Sequence, residues 1–220
     1  HLTLVPYINA SGELKTKPTQ HSVKELRSLG ISPDVLICRS DQELPSDEKN
    51  KIALFCSVPN DSVISMHDVE TVYSVPLLLH SQKVDKTILK KLKINTKQAQ
   101  LNDWKRVVKA KLLPEKEVTV SFVGKYTELK DSYKSINEAL EHAGIKNKTR
   151  VNINFVEAET LTPKNIHKTL KNSDAILVPG GFGERGIEGM ILACKYAREK
   201  NIPYLGICLG MQVAIIEYAR

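Results

Sequence analysis

Short apolar runs alternate with longer amphipathic stretches along the chain. An apolar run between turn residues predicts a buried strand, and apolar spacing near the helical period predicts a helix. LTLVPYI, residues 2–8, predicts a strand. SVKELRSLG, 22–30, predicts a short helix with Ser22 and Glu25 as a capping box and Gly30 as its stop. DVLICR (34–39) predicts a strand, DEKNKIALFCS (47–57) a helix, and SVISM (62–66) another strand. VPLLLHSQ (75–82) opens a helix with Pro76 in its first turn.

Residues 84–117 break this rhythm. They are rich in lysine, hold no strand-like run, and contain the amphipathic helix NDWKRVVKAKLL, followed by Pro114. They predict a linker. A second alternation follows. VTVSFVGKY (118–126) predicts a strand and turn, and DSYKSINEALEHAG (131–144) a helix ended by Gly144. RVNINFVEA (150–158) predicts a strand, and TPKNIHKTLKN a helix capped by Thr162 with Pro163 at its first position. The strand DAILVPGGFG, the helix IEGMILACKYAREKN, the strand IPYLGI and a last helix complete the series. Strands alternating with helices predict mostly parallel sheets. The expected organisation is two α/β domains, 1–83 and 118–220, joined by a basic linker over 84–117.

Charge sharpens the linker reading. The chain carries a net charge of +7, and Lys83 to Lys111 holds ten Lys or Arg against two Asp, so the rest is close to neutral. With Trp104 as its only aromatic, this stretch reads as a solvated face rather than a nucleic-acid patch. No window approaches the ~20 apolar residues of a membrane span. The chain opens on His1 inside an apparent strand, so it is expected to begin within a domain. Cys38, Cys56, Cys194 and Cys208 form no CxxC pair, which argues for reduced thiols in a cytosolic protein over a zinc site or a disulfide scaffold.

The candidate chemistry lies in YLGICLGMQVAII, residues 204–216. Gly206, Cys208 and Gly210 fit the glycine-x-nucleophile-x-glycine elbow, in which small residues let the chain turn sharply from strand to helix. Cys208 would stand at the carboxyl end of the sheet, where open α/β folds bind ligands. The positive end of the helix dipole would favour its thiolate. The Leu209 N–H would point at a developing oxyanion. VPGGFGERG, 178–186, places a second glycine turn on the preceding strand, able to aim the Gly181 N–H at the same oxygen. Alternatively, Cys208 is a small buried hydrophobe and Gly180-Gly181 a plain tight turn. All six histidines (His1, His21, His67, His80, His142 and His167) precede Cys208, and none has the context of a catalytic partner.

PGGFG followed by GICLGMQ resembles the class I, triad-type glutamine amidotransferases. That resemblance implies Cys208 as the nucleophile and Gly181 and Leu209 as oxyanion-hole donors. It implies Gly181, Leu209, Gly210, Met211 and Gln212 as glutamine-binding positions. The family's triad His and Glu lie downstream of its cysteine and have no counterpart before Arg220.

A second stretch narrows the choice. In GELKTKPTQHSVKEL, 12–26, an extended segment would project Lys15 and Lys17 to one side, just ahead of a helix N-terminus. Lysines, hydroxyls and free helix N–H groups suit a phosphate; a solvated loop with a capped helix is the plainer reading. Together with PDVLICRSD, KIALFC and VISMHDV, this stretch resembles the synthase portion of the CTP synthase family. The resemblance covers essentially the whole chain. It implies a P-loop-type synthase portion followed by the amidotransferase portion, both three-layer α/β. It implies that Lys15, Thr16, Lys17, Pro18, Thr19, Gln20 and Lys51 bind UTP, or CTP as feedback inhibitor. His67, Asp68 and Val69 would lie near ATP, with His67 standing where some relatives carry Lys.

The implied reaction is the ATP-dependent amination of UTP to CTP with ammonia from glutamine, assisted by Mg2+ and activated by GTP, in homotetramers that can polymerise into filaments. No nucleic-acid or membrane partner is expected, and no metal ligand within these residues. The family's P-loop and Mg2+ carboxylates have no counterpart here, so the chain reads as an internal fragment, inactive by itself. A GMP synthase-like amidotransferase would share the elbow but not KTKPTQHSVKEL. A related cysteine hydrolase would need no synthase portion, and a noncatalytic module would use the basic stretch to hold RNA or a partner.

Overall fold

The apolar runs do form strands. A computed structural model describes residues 1–125 and 130–220, and the expected end of one strand and its turn, at Tyr126, lies outside the described residues. Two units emerge, His1–Val108 and Lys109–Arg220. Both are built on parallel sheets, as the alternation of strands and helices predicts. Among the described residues, no helix is long and apolar enough to cross a membrane.

In the first unit, β1 (Leu2–Leu4), β2 (Tyr7–Ile8) and β3 (Glu13–Leu14) precede helix α1 (Lys17–Ser28). Then come β4 (Leu36–Ser40), α2 (Ser46–Cys56), β5 (Val63–His67), α3 (Val75–Ser81) and α4 (Val84–Lys91). The parallel sheet has the order β1-β4-β5, and β2 pairs with β3 as an antiparallel hairpin. The single strand expected over 2–8 is thus two strands. Pro6 cannot donate to a ladder, and its carbonyl instead accepts from the Lys15 N–H at 2.9 Å, closing the hairpin.

Helix α1 also begins earlier than the pattern predicts. Pro18 supplies a preset first turn, so Ser22 falls mid-helix and forms no capping box; its hydroxyl meets His1 Nε2 at 2.8 Å. Gly30, at φ 81°, does end the helix. Residues 84–117 hold α4 as well as α5 (Asn102–Leu112), and the next strand begins at Lys116. Beyond α3, the Gln82 amide binds the backbone of Ser65 on β5. Its Oε1 accepts from the Ser65 N–H at 2.9 Å, and its Nε2 donates to the Ser65 carbonyl at 2.8 Å.

The second unit comprises β6 (Lys116–Gly124), α6 (Lys134–Lys146), β7 (Thr149–Glu157), α7 (Ile166–Leu170), β8 (Ala175–Val178), α8 (Ile187–Lys200), β9 (Tyr204–Gly206) and α9 (Leu209–Ala219). Its sheet is parallel in the order β7-β6-β8-β9. Alternation along the strands splits the core into two layers. Val120, Phe122 and Leu177 pack under Ile136 and Leu140 of α6. Val123, Ile176 and Val178 pack under Met190, Ala193 and Ala197 of α8 and Val213 of α9. This is the expected three-layer sandwich.

Two local expectations fail here. Gly144 lies inside α6; a Cβ there would meet the Thr149 carbonyl oxygen at 2.5 Å, so the glycine serves helix–strand contact and not termination. Thr162 does not cap α7. The Asn165 side chain takes up the Thr162 N–H at 2.8 Å, turning 162–165 before the helix starts at Ile166.

Candidate active site

Two parallel strands converge on Cys208. The Ile207 N–H donates to the Val178 carbonyl at 2.9 Å, extending the β8–β9 ladder by one residue. Cys208 then adopts φ 52° and ψ −103°, and α9 begins. This backbone is costly for a non-glycine residue, on the order of 1–3 kcal/mol, and persists only where the surroundings enforce it. The enforcement is visible. A Cβ at Gly206 would lie 2.5 Å from the Gly210 carbonyl, and one at Gly210 would lie 2.2 Å from the Val178 oxygen. Only glycines allow strand and helix to close so tightly. Cys208 is exposed, whereas Cys38, Cys56 and Cys194 are buried, which excludes the reading of Cys208 as core filler.

In the first turn of α9, the Leu209 N–H has no backbone partner among the described residues. Gly210 N–H bonds the Ile207 carbonyl, and the N–H groups of Met211 and Gln212 bond the Cys208 carbonyl. That leaves the Leu209 N–H beside the sulfur-bearing residue. The glycine turn after β8 comes to the same place. A Cβ on Gly180 would sit 3.5 Å from Cys208 Cβ, and one on Gly181 would sit 3.3 Å from Leu209 Cδ2. The structure therefore brings together Gly181, Cys208 and Leu209, with Gly210, Met211 and Gln212 in the turn that follows. Among the described histidines of this unit, His142 faces Glu138 and His167 meets the Tyr196 hydroxyl.

Two residues passed over in the sequence also support the site. Lys125, 4% exposed, donates through Nζ to the carbonyls of Phe182 (2.9 Å) and Gly183 (2.7 Å) in the glycine turn. Its signal is a lysine directly after a glycine at the end of a strand whose last five residues are buried. The Tyr204 hydroxyl donates to the Gly210 carbonyl at 2.8 Å, and burial pushes its ionisation well above the ordinary phenol range.

In the first unit, the Thr19 hydroxyl donates to the Leu4 carbonyl at 3.0 Å, which seats the start of α1 over the carboxyl end of β1. Thr16 and Thr19 are buried, and Gln20 donates to the Thr16 hydroxyl at 3.1 Å. Lys17 is the first residue of the helix, so the extended run expected over Lys15–Lys17 is not present. Lys15, Lys17 and Pro18 reach outward. Lys15 pairs with Glu13, whose carboxyl it holds below the usual range, with a smaller contribution from Lys51. Lys51 also lies 3.6 Å from Glu48 on its own helix. His67 ends β5 with a buried Nδ1 that has no partner among the described residues. Asp68 pairs with Arg39, and Val69 is half-buried beside it. Among the described residues, no three His, Cys, Asp or Glu side chains cluster to hold a metal ion.

Comparison with known proteins gives matches in both units. Residues 1–94 match the family described as CTP synthase N-terminus. Residues 128–220 match the class-I glutamine amidotransferases. A solved structure of the Trypanosoma brucei CTPS glutaminase domain with bound acivicin is 44% identical over 47% of this chain and 40% of that one, with a TM-score of 0.44. The chain thus spans less than half the length of that protein.

Proposed function

From the match of residues 1–94 to the CTP synthase N-terminus family and of residues 128–220 to the class-I glutamine amidotransferases, we propose that the chain carries the glutamine-cleaving nucleophile and a UTP-binding segment of an enzyme that aminates UTP to CTP. The observation that carries this reading is the strained, exposed Cys208 held between Gly206 and Gly210. In the proposed first step, the Cys208 thiolate attacks the side-chain carbonyl carbon of glutamine. A C–S bond forms, and the carbonyl π electrons move to oxygen. The N–H groups of Leu209 and Gly181 receive that oxyanion. Collapse breaks the C–N bond, releases ammonia and leaves a thioester, which water hydrolyses to glutamate. The proton for the departing nitrogen would come from the His, oriented by the Glu, both of which follow the cysteine in this family.

In the same proposal, Lys15, Lys17 and Lys51 contact UTP or CTP phosphates, beside the N–H groups of Lys17 and Thr19 in the first turn of α1. His67, Asp68 and Val69 border ATP. The Mg2+ implied by the family finds no ligand cluster among the described residues. The assignments of ATP, GTP as activator, cytoplasmic location and a homotetramer rest on the family alone.

The test is Cys208→Ala in the intact enzyme. Glutamine-dependent CTP formation should vanish while CTP formation from added ammonia persists. Equal loss of both activities would remove Cys208 from the role of nucleophile. For the nucleotide segment, Lys15→Ala or Lys17→Ala should weaken UTP binding by ~1–3 kcal/mol, the scale of a charge-assisted hydrogen bond. Unchanged UTP affinity in both variants would reduce the segment to a loop and a helix start.

A further inference from the structure

The glycine turn that supplies Gly181 is a loop between β8 and α8, and loops do not hold a hydrogen-bond donor in register by themselves. The carbonyls of Phe182 and Gly183, next in the chain after Gly181, both accept from Lys125 Nζ. The lysine is buried at the end of central strand β6, while the Phe182 ring, 97% exposed, gives the turn no packing anchor. Three features fix the lysine in turn. Phe122 pairs with Leu177 in the β6–β8 register, which brings Gly124 alongside Pro179. A Cβ on Gly124 would lie 3.0 Å from Phe122 Cε1 and 3.1 Å from Pro179 Cγ, so a side chain there would push on both rings. The Tyr133 hydroxyl donates to the Lys125 carbonyl, and the Tyr133 ring packs on Phe122 at 4.6 Å between centroids.

We propose that Lys125 is the positioning residue of the oxyanion hole: by holding the Phe182 and Gly183 carbonyls, it keeps the Gly181 N–H directed at the oxygen that forms on attack by Cys208. This rests on the reading of Gly181 as an oxyanion donor given above. Lys125 touches neither substrate nor sulfur in this scheme. Its effect falls on transition-state stabilisation, because the donor is needed only when the charge develops.

The experiment uses the intact enzyme with Lys125→Met, which keeps the stem and removes the donors, beside Lys125→Arg, which restores donors. With Lys125→Met, the glutamine-dependent kcat should fall ~10–100-fold, the range for a misplaced or lost oxyanion donor, while KM for glutamine stays within about 3-fold. Lys125→Arg should recover part of the loss. Alkylation of Cys208 by iodoacetamide needs no oxyanion hole and should keep its parental rate in Lys125→Met. An unchanged kcat overturns the proposal. So does a parallel fall in kcat and alkylation rate, which would mark collapse of the elbow, or a rise in KM alone. If Lys125→Met does not fold, Lys125→Gln, able to serve one carbonyl, provides the same kcat and alkylation comparison. Cys208→Ala, assayed alongside, keeps the two readings separable: glutaminase activity surviving in it would sink the assignment of the nucleophile without bearing on the Lys125 result.

Discussion

Four cysteines in one chain have four different surroundings. Burial raises the ionisation of Cys38, Cys56 and Cys194 above the ordinary thiol range, and it also hides them. Cys208 alone is exposed. Iodoacetamide at neutral pH should therefore label Cys208 first, with the other three protected until unfolding. Peptide mapping by mass spectrometry checks this, and early labelling of Cys194 would contradict the packing of α8. The elbow at Cys208 was legible in the sequence because its determinants, Gly206 and Gly210, are local. Lys125 was not legible, because its acceptors lie 57 and 58 residues away and only the sheet register brings them near. Thr19 shows the same limit: a hydroxyl that suited a phosphate is spent on the Leu4 carbonyl.

Elements obey rules that single residues conceal. Strand and helix order followed from apolar periodicity, since each run must bury one face. Starts and stops depended on tertiary contacts instead, as with Gly144 against Thr149 and Pro18 at the head of α1. The junction of β9 and α9 is the tightest of these contacts. Gly210→Ala should force Val178 or the helix to move and destabilise the unit by at least ~1–3 kcal/mol, the scale of overpacking, seen as a lower Tm. An unchanged Tm would show that the junction has slack. Helices α8 and α9 are tied by Arg198, whose Nε and Nη2 donate to Glu217 at 3.0 and 2.7 Å. The hydrogen bonds from Arg198 hold the Glu217 carboxyl below its usual range. The stabilisation is therefore present above the unfolded-state value near ~4.3 and is lost as pH falls through the lower folded one. Glu217→Gln should cost about 1 kcal/mol at neutral pH, discounted for the half-exposed arginine. That difference should shrink below pH ~4, which denaturant titrations at two pH values would reveal; a pH-independent difference would rule out the ion pair as its source.

For the whole molecule, the basic stretch separates into ordered and open parts. Helices α4 and α5 flank residues 93–100, which are exposed and carry no regular structure. An exposed backbone without ladder or helix bonds is the preferred site of nicking. Brief trypsin treatment should cut first after Lys93 or Lys97 and leave two resistant pieces, readable by intact mass. First cleavage within α5 would show that the open segment is shielded. The open segment was predictable from composition, since its lysines and glutamines offer nothing to bury, whereas α4 was not, because it buries a single side chain, Val84, and so shows little apolar pattern.

The Gln82 amide on Ser65 has a consequence of a different kind. In this sheet β5 is a terminal strand, and a terminal strand with free backbone groups invites a strand from another chain to join it. The glutamine occupies both the donor and the acceptor of Ser65, so an incoming strand meets a filled register at its midpoint. One side chain thus fills the middle of this edge, and Gln82→Ala should leave the fold intact while lowering the concentration at which the protein begins to aggregate.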